Sequence, residues 1–147
     1  MNVNIKINQS DLNKLKNKLD KMRAFESKTL SNELGKTGSE IVRLAKRQVP
    51  APTGTLRNSI SAQRSGKSIN VVAAANYAPY VEFGTGGSVD LTDMIELGIP
   101  PSYAAQFKGK GIREVNLPAR PFFFSSARIG FKNLLNRLNG EIKKAIK

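Results

Sequence analysis

A long helical stripe of apolar residues that stops at two prolines most constrains the fold. Leu30, Leu34, Ile41, Leu44 and Ala45 fall within one stripe when turned at ~100° per residue, which predicts a helix from about Thr29 to Val49. Pro50 and Pro52 end it, because proline donates no amide and pushes the preceding residue out of helical backbone. Gly35 and Gly38 weaken this helix by about 1 kcal/mol each relative to alanine, while their missing side chains let another backbone approach.

Upstream, Val3, Ile5 and Ile7 alternate with polar residues and predict a strand. Ser10 stands where an N-cap should. Leu12, Leu15, Leu19 and Met22 then mark an amphipathic helix ending near Ala24, with Lys14, Lys16, Lys18 and Lys21 mostly on its other faces. Downstream, residues 53–60 read as a turn and a short helical start that leads into a strand at about Ser59–Arg64. Ser65-Gly66-Lys67 has hairpin-turn composition, and Ile69, Val71 and Val72 suit the returning strand. A last helix covers roughly Phe123–Ala145, with Phe124, Ala127, Phe131, Leu135, Leu138 and Ile142 as its expected buried stripe. From residue 86 to 117 no period survives, apart from a short helix near Thr92–Leu97. The expectation is one α+β domain over residues 1–147. A small antiparallel sheet with a central hairpin packs against two or three long amphipathic helices, and 86–117 forms a long insertion loop.

The chain has neither histidine nor cysteine, which removes the commonest general base, the commonest metal ligand and all thiolate chemistry. Asp90, Asp93, Glu96 and Glu114 match no metal-loop spacing, and Gly84-Thr85-Gly86-Gly87 lacks the lysine of a phosphate loop. No enzyme, cofactor or metal is therefore expected. The first residues lack the apolar core of a secretory signal, and no stretch approaches the ~20 apolar residues of a membrane span. The expected place is a cytoplasm, or a particle assembled there. The net charge of +13 has two readings: lysines that solvate helix faces, or a basic nucleic-acid-binding module. Against the module, the aromatics sit in apolar contexts and are not interleaved with arginines as a stacking platform.

Three segments are more particular: Val49–Ile60, Tyr77–Thr85 and Pro118–Phe122. Thr53 can cap a short helix while Gly54 permits a tight approach; the favoured reading of both is an ordinary helix-to-strand turn. Tyr77, Tyr80 and Phe83 supply aromatic area, with core packing expected for at least two of them. Glu82 lies among apolar neighbours and wants a partner, for which Arg120 is the candidate; the alternative is an exposed glutamate. Phe122, Phe123 and Ile129 fall off the last helix's stripe, as subunit contacts do, although packing on the sheet explains Phe122 as well. Glu82, Phe83, Arg120, Phe122, Phe123 and Ile129 are thus the candidate interface residues.

In order and spacing these segments resemble the tail-component family named after gene product ten of phage HK ninety-seven, over about residues 30–146. There a long helix precedes a P-x-x-TG-x-L-x-x-SI element, carried here by Pro50, Thr53, Gly54, Leu56, Ser59 and Ile60. A YA-x-x-VEFGT segment follows, here with Tyr77, Tyr80, Glu82, Gly84 and Thr85, and then an ARPF segment with Arg120, Pro121 and Phe122. The resemblance implies a structural virion protein of the head–tail neck or tail-completion region, assembled in the host cytoplasm, with no cofactor and no membrane. It implies a ring of identical subunits, sixfold favoured and twelvefold possible. Neighbouring neck and tail-tube proteins would be its partners, and DNA would pass transiently and without sequence preference through its channel.

Overall fold

The computed structural model describes residues 8–50, 54–86, 91–96, 100–108 and 117–146. The strand expected at Val3–Ile7 and the cap expected of Thr53 lie outside them. Helix α1 (Gln9–Ala24) runs through a π-type stretch, Phe25–Leu30, into α2 (Ser31–Gln48). The sequence predicts a break between Ala24 and Thr29, but none occurs. Residues 25–28 contain no glycine or proline, and Ala24, Phe25, Leu30 and Ser31 all hold right-handed helical angles. Asn8 is the N-cap in place of Ser10; its side chain accepts a hydrogen bond from the Ser10 amide at 2.9 Å. At the far end Val49 turns to ψ 120° ahead of Pro50, as a pre-proline residue must.

After the prolines, α3 (Thr55–Ser59) leads into β1 (Ile60–Ser65), which pairs antiparallel with β2 (Ser68–Ala73) from Ile60↔Ala73 to Ser65↔Ser68. The two-residue loop Gly66-Lys67 closes the hairpin, with Gly66 at φ 57°, where a residue with a Cβ would be strained. The hairpin lies on α2. A Cβ at Gly38 would run into the Ile69 side chain, so this glycine admits a side chain and not a backbone. Gly35 faces open space and does no such work. Short helices α4 (Ala78–Phe83), α5 (Leu91–Glu96) and α6 (Pro101–Ala104) follow, the last running into a 3₁₀ turn, Ala105–Lys108.

The closing helix α7 (Phe123–Ile146) packs antiparallel to α2. Residue pairs along the seam fix the direction: Ser125 bonds Gln48, Asn133 bonds Glu40, and Arg137 bonds Glu33. The expected apolar stripe of α7 is not the face that meets α2. Ser126, Gly130 and Leu134 are buried there, with Asn133 and Arg137 half-buried beside them. Phe131, Leu135 and Ile142 point outward at 59%, 47% and 39% exposure, while Phe124, Ala127 and Leu138 are only half-buried. The contact face is turned about a third of a turn from the stripe. The reason lies on α2, whose facing residues include Glu33, Thr37 and Glu40, spaced to recur on one side of a helix.

The Arg137 guanidinium meets all three: Nε to Glu33 at 2.7 Å, one terminal nitrogen to Glu40 at 3.1 Å and the other to the Thr37 hydroxyl at 2.7 Å. The Lys36 hydrogen bond, against the opposing effect of burial and with help from Arg137, holds the Glu33 carboxyl below the usual glutamate value. Asn133 first, and then Arg137, do the same for Glu40. The apolar core sits at one end of the seam, where Ala45, Val49, Leu56, Ile60, Ala78 and Phe122 are buried together. Helix α1, by contrast, buries no residue.

Arg137→Ala should therefore destabilise the fold by about 2–3 kcal/mol in chemical denaturation, discounted from the fully buried case because the arginine is partly exposed. Because both carboxyls are lowered in the folded state, their contribution is complete above about pH 4.5 and disappears as pH falls through the lower folded values. Thermal melts of the wild type should fall more steeply below that pH than those of Arg137→Ala.

Candidate functional site

The second and third sequence motifs are folded into each other. Glu82, on the last turn of α4, is buried, and its carboxylate accepts three backbone amides at the start of α7. Oε2 takes Phe122 and Phe123 at 2.7 and 2.8 Å, and Oε1 takes Phe124 at 3.0 Å. These are the orphan donors that every helix start leaves, and a carboxylate there also meets the positive end of the helix dipole. Glu82 thus caps α7 from 40 residues away. The pairing expected with Arg120, across the sheet or between subunits, is not formed within the chain. Arg120 is exposed, and it reaches this region through its backbone, donating its amide to the Val81 carbonyl at 2.9 Å.

Next to it, Gly84 adopts φ 74°, and a Cβ there would stand 2.5 Å from the Leu117 carbonyl oxygen and 2.8 Å from the Ala119 nitrogen. Only glycine lets the returning chain pass so close. Thr85 then exchanges two bonds with Leu117. Its amide donates to the Leu117 carbonyl at 2.9 Å, and its hydroxyl accepts the Leu117 amide at 3.0 Å. The chain that leaves at Thr85 is clamped as it returns at Leu117.

The first motif serves the hairpin. Gly54, at φ 67°, precedes α3 and accepts the Asn58 amide at 2.8 Å; its need is conformational, and among the described residues the Asn58 side chain, at 3.9 Å, is the nearest to its Cβ position. Leu56 is buried in the core, and the Ser59 hydroxyl donates to the Leu56 carbonyl at 2.8 Å. Pro121 is exposed one residue ahead of buried Phe122.

The six candidate interface residues divide. Glu82 and Phe122 are buried inside their own chain, so they offer no surface to a neighbour. Phe123 is half-buried and packs on the core; Phe83 is half-buried among Phe107 and Phe124 at ring separations of 5.5 and 5.6 Å. Ile129 and Arg120 remain exposed. Core packing was expected for at least two of the three motif aromatics, but Tyr77 and Tyr80 are largely exposed. Both line an open apolar cleft with Val49, Pro50, Leu56 and Arg120, and Tyr80 also meets Phe107 edge-on at 5.2 Å. Sequence reasoning missed Arg137, Glu33 and Glu40. The signal was available, because polar residues at 33, 37 and 40 repeat as a contact face does.

Chemically the arrangement positions surfaces. Both Glu82 oxygens are occupied by amides. Among the described residues no group of acidic side chains is placed to hold a metal ion, and no helix is long and apolar enough to cross a membrane.

Glu82→Ala should destabilise the protein by about 3 kcal/mol in urea denaturation, since it strands buried amides and uncaps α7. Arg120→Ala should change stability by less than about 0.5 kcal/mol. Equal losses for the two variants would reinstate the ion pair and overturn the capping role.

Residues 13–84 match the family model HK97-gp10_like, described as "Bacteriophage HK97-gp10, putative tail-component". The match takes in most of α1, all of α2, the first motif, the hairpin and the second motif as far as Gly84. It begins earlier than the resemblance carried by the motifs and stops before the loop and the third motif. Neither the curated proteins nor the solved structures gave a match. Over residues 13–84, just under half of its length, this chain is thus similar to the HK97-gp10-like family of phage tail components.

Proposed function

We propose that this protein is a structural component of the virion that forms a ring at the head–tail junction, as a tail-completion, terminator or joining subunit. The observation that carries the reading is the rotated packing of α7, in a chain whose residues 13–84 match a family of tail components. Its apolar stripe, Phe131, Leu135 and Ile142, faces outward while the polar side is buried against α2. Helix α1 adds a second outward stripe of Leu12, Leu15, Leu19 and Met22. Each stripe offers on the order of a few hundred Å² of apolar surface, as large as the biggest patch a typical monomer carries. Tyr77, Tyr80 and Arg120, side-chain types enriched at interface hot spots, stand open in the cleft.

Two different outward faces suit heterologous contact, in which one face of a subunit meets another face of the next; such contacts close into a ring when the rotation permits. Sixfold symmetry would match a tail tube and twelvefold a head connector. Neck and tail-tube proteins would hold the two rims, and DNA would pass through the centre.

Two measurements test this. Phages that lack the gene should yield separate heads and tails, with the protein found in purified wild-type particles by immunolabelling. A Phe131→Ser, Leu135→Ser variant should fold with wild-type circular dichroism but fail to restore joining. Normal virions from which the protein is missing would overturn the proposal.

A further inference from the structure

On the outer side of α2, away from α7, a shallow groove is lined by Ser39, Val42, Arg43, Lys46, Arg47 and Arg57. Arg43, Lys46 and Arg47 come from successive turns of α2, and Arg57 from α3 just beyond the proline turn. Elsewhere among the described residues five cations are matched: Lys14 with Asp11, Lys36 with Glu33, Lys67 with Glu26, Arg137 with Glu33 and Glu40, and Lys144 with Glu141. Others there, such as Lys16, Lys18 and Arg23 on α1, form no salt bridge; what sets the groove apart is that its four cations line one depression. Among the described residues, none of the four groove cations forms a salt bridge. Glu40 feels Arg43, but Asn133 and Arg137 already occupy its oxygens. Four like charges are thus held together without a counter-charge, an arrangement that a polyanion relieves.

We infer that this groove binds the phosphate backbone of duplex DNA. The lining decides between DNA and an acidic protein surface. A protein interface has an apolar or aromatic centre, yet here the one large apolar residue is Val42. Arginine, lysine and serine are the side chains that contact phosphates. The groove is open and presents no element shaped to enter a base-pair groove, so contact is blind to sequence, as DNA in transit requires. The inference deepens the ring reading by naming the DNA-facing side, and rests on it only for where the duplex is met; binding itself is measurable apart from tail joining.

The test is fluorescence anisotropy of the full-length protein with a labelled duplex of about 30 base pairs, across a salt series. Wild type should bind, with a log–log salt slope that falls by about 0.9 for each phosphate contact removed. The variant Arg43→Gln, Lys46→Gln, Arg47→Gln, Arg57→Gln should bind roughly tenfold or more weakly near 0.1 M salt, with a slope reduced by up to about 3.6. A control removing four arm cations, Lys16→Gln, Lys18→Gln, Lys21→Gln, Arg23→Gln, lowers net charge equally and should lose less than about threefold. Circular dichroism and melting of both variants should match wild type, as all eight side chains are at least partly exposed. Equal loss in the two variants would make binding a matter of bulk charge and overturn the assignment. So would absence of wild-type binding at 50 mM salt. Unchanged DNA binding in the groove variant, together with loss of tail joining, would give the groove to an acidic protein and overturn it as well.

Discussion

The Glu82 carboxylate sets where the longest helix begins. A helix start leaves several amides without partners, and here three of them converge on one side chain that arrives from α4. The carboxylate is an anion at the positive end of a 24-residue helix, so dipole and hydrogen bonds act in the same direction. Because the bonds go to backbone, they fix the position of α7 whatever its side chains are. The neighbouring Gly84 and the Thr85–Leu117 exchange hold the incoming chain against the same short helix. Fourteen residues further on, roughly 20 Å along the axis, Arg137 lands between Glu33 and Glu40. Two polar anchors therefore set both the register and the rotation of α7 on α2.

That rotation has an energetic meaning. A seam of leucines would bury more apolar surface, and a partly buried ion pair is a weak source of net stability because its desolvation offsets its attraction. What the pair supplies is orientation, since a guanidinium fork satisfied by two carboxylates and a hydroxyl admits few other geometries. The apolar residues of α7 are left outside, where a monomer gains nothing from them. The same division recurs on α1, which buries no residue although it carries a regular apolar stripe. On α7 the buried contacts and the most exposed apolar residues thus lie on different sides of one helix.

Much of the architecture was legible in the sequence because it depends on local rules. Pro50 and Pro52 mark the end of α2, Gly66 marks the hairpin, and periodicity gives the extent of α7 to within a residue or two. The facing of α7 was not legible, because a helical stripe tells where apolar residues gather and is silent on what stands opposite. The partner of Glu82 was hidden for a related reason: backbone amides have no letter in a sequence, so a search for a cation settled on Arg120. The missing break near Phe25 shows the limit of periodicity, whose phase can shift through a π-type stretch without the chain leaving the helix. The short helical start expected in the first motif is α3, and Gly54 ahead of it answers to backbone angle.

Continuous helical backbone from Gln9 to Gln48 makes the arm and the body one lever. Sixteen residues of α1 reach about 24 Å beyond the π-type stretch, and each advances the tip by about 1.5 Å while turning it by about 100°. Length and aim are therefore inseparable. A single residue gained or lost within α1 would swing the whole row of leucines by about 100° relative to α2 and α7, so the aim of that row is set by residue count as much as by sequence.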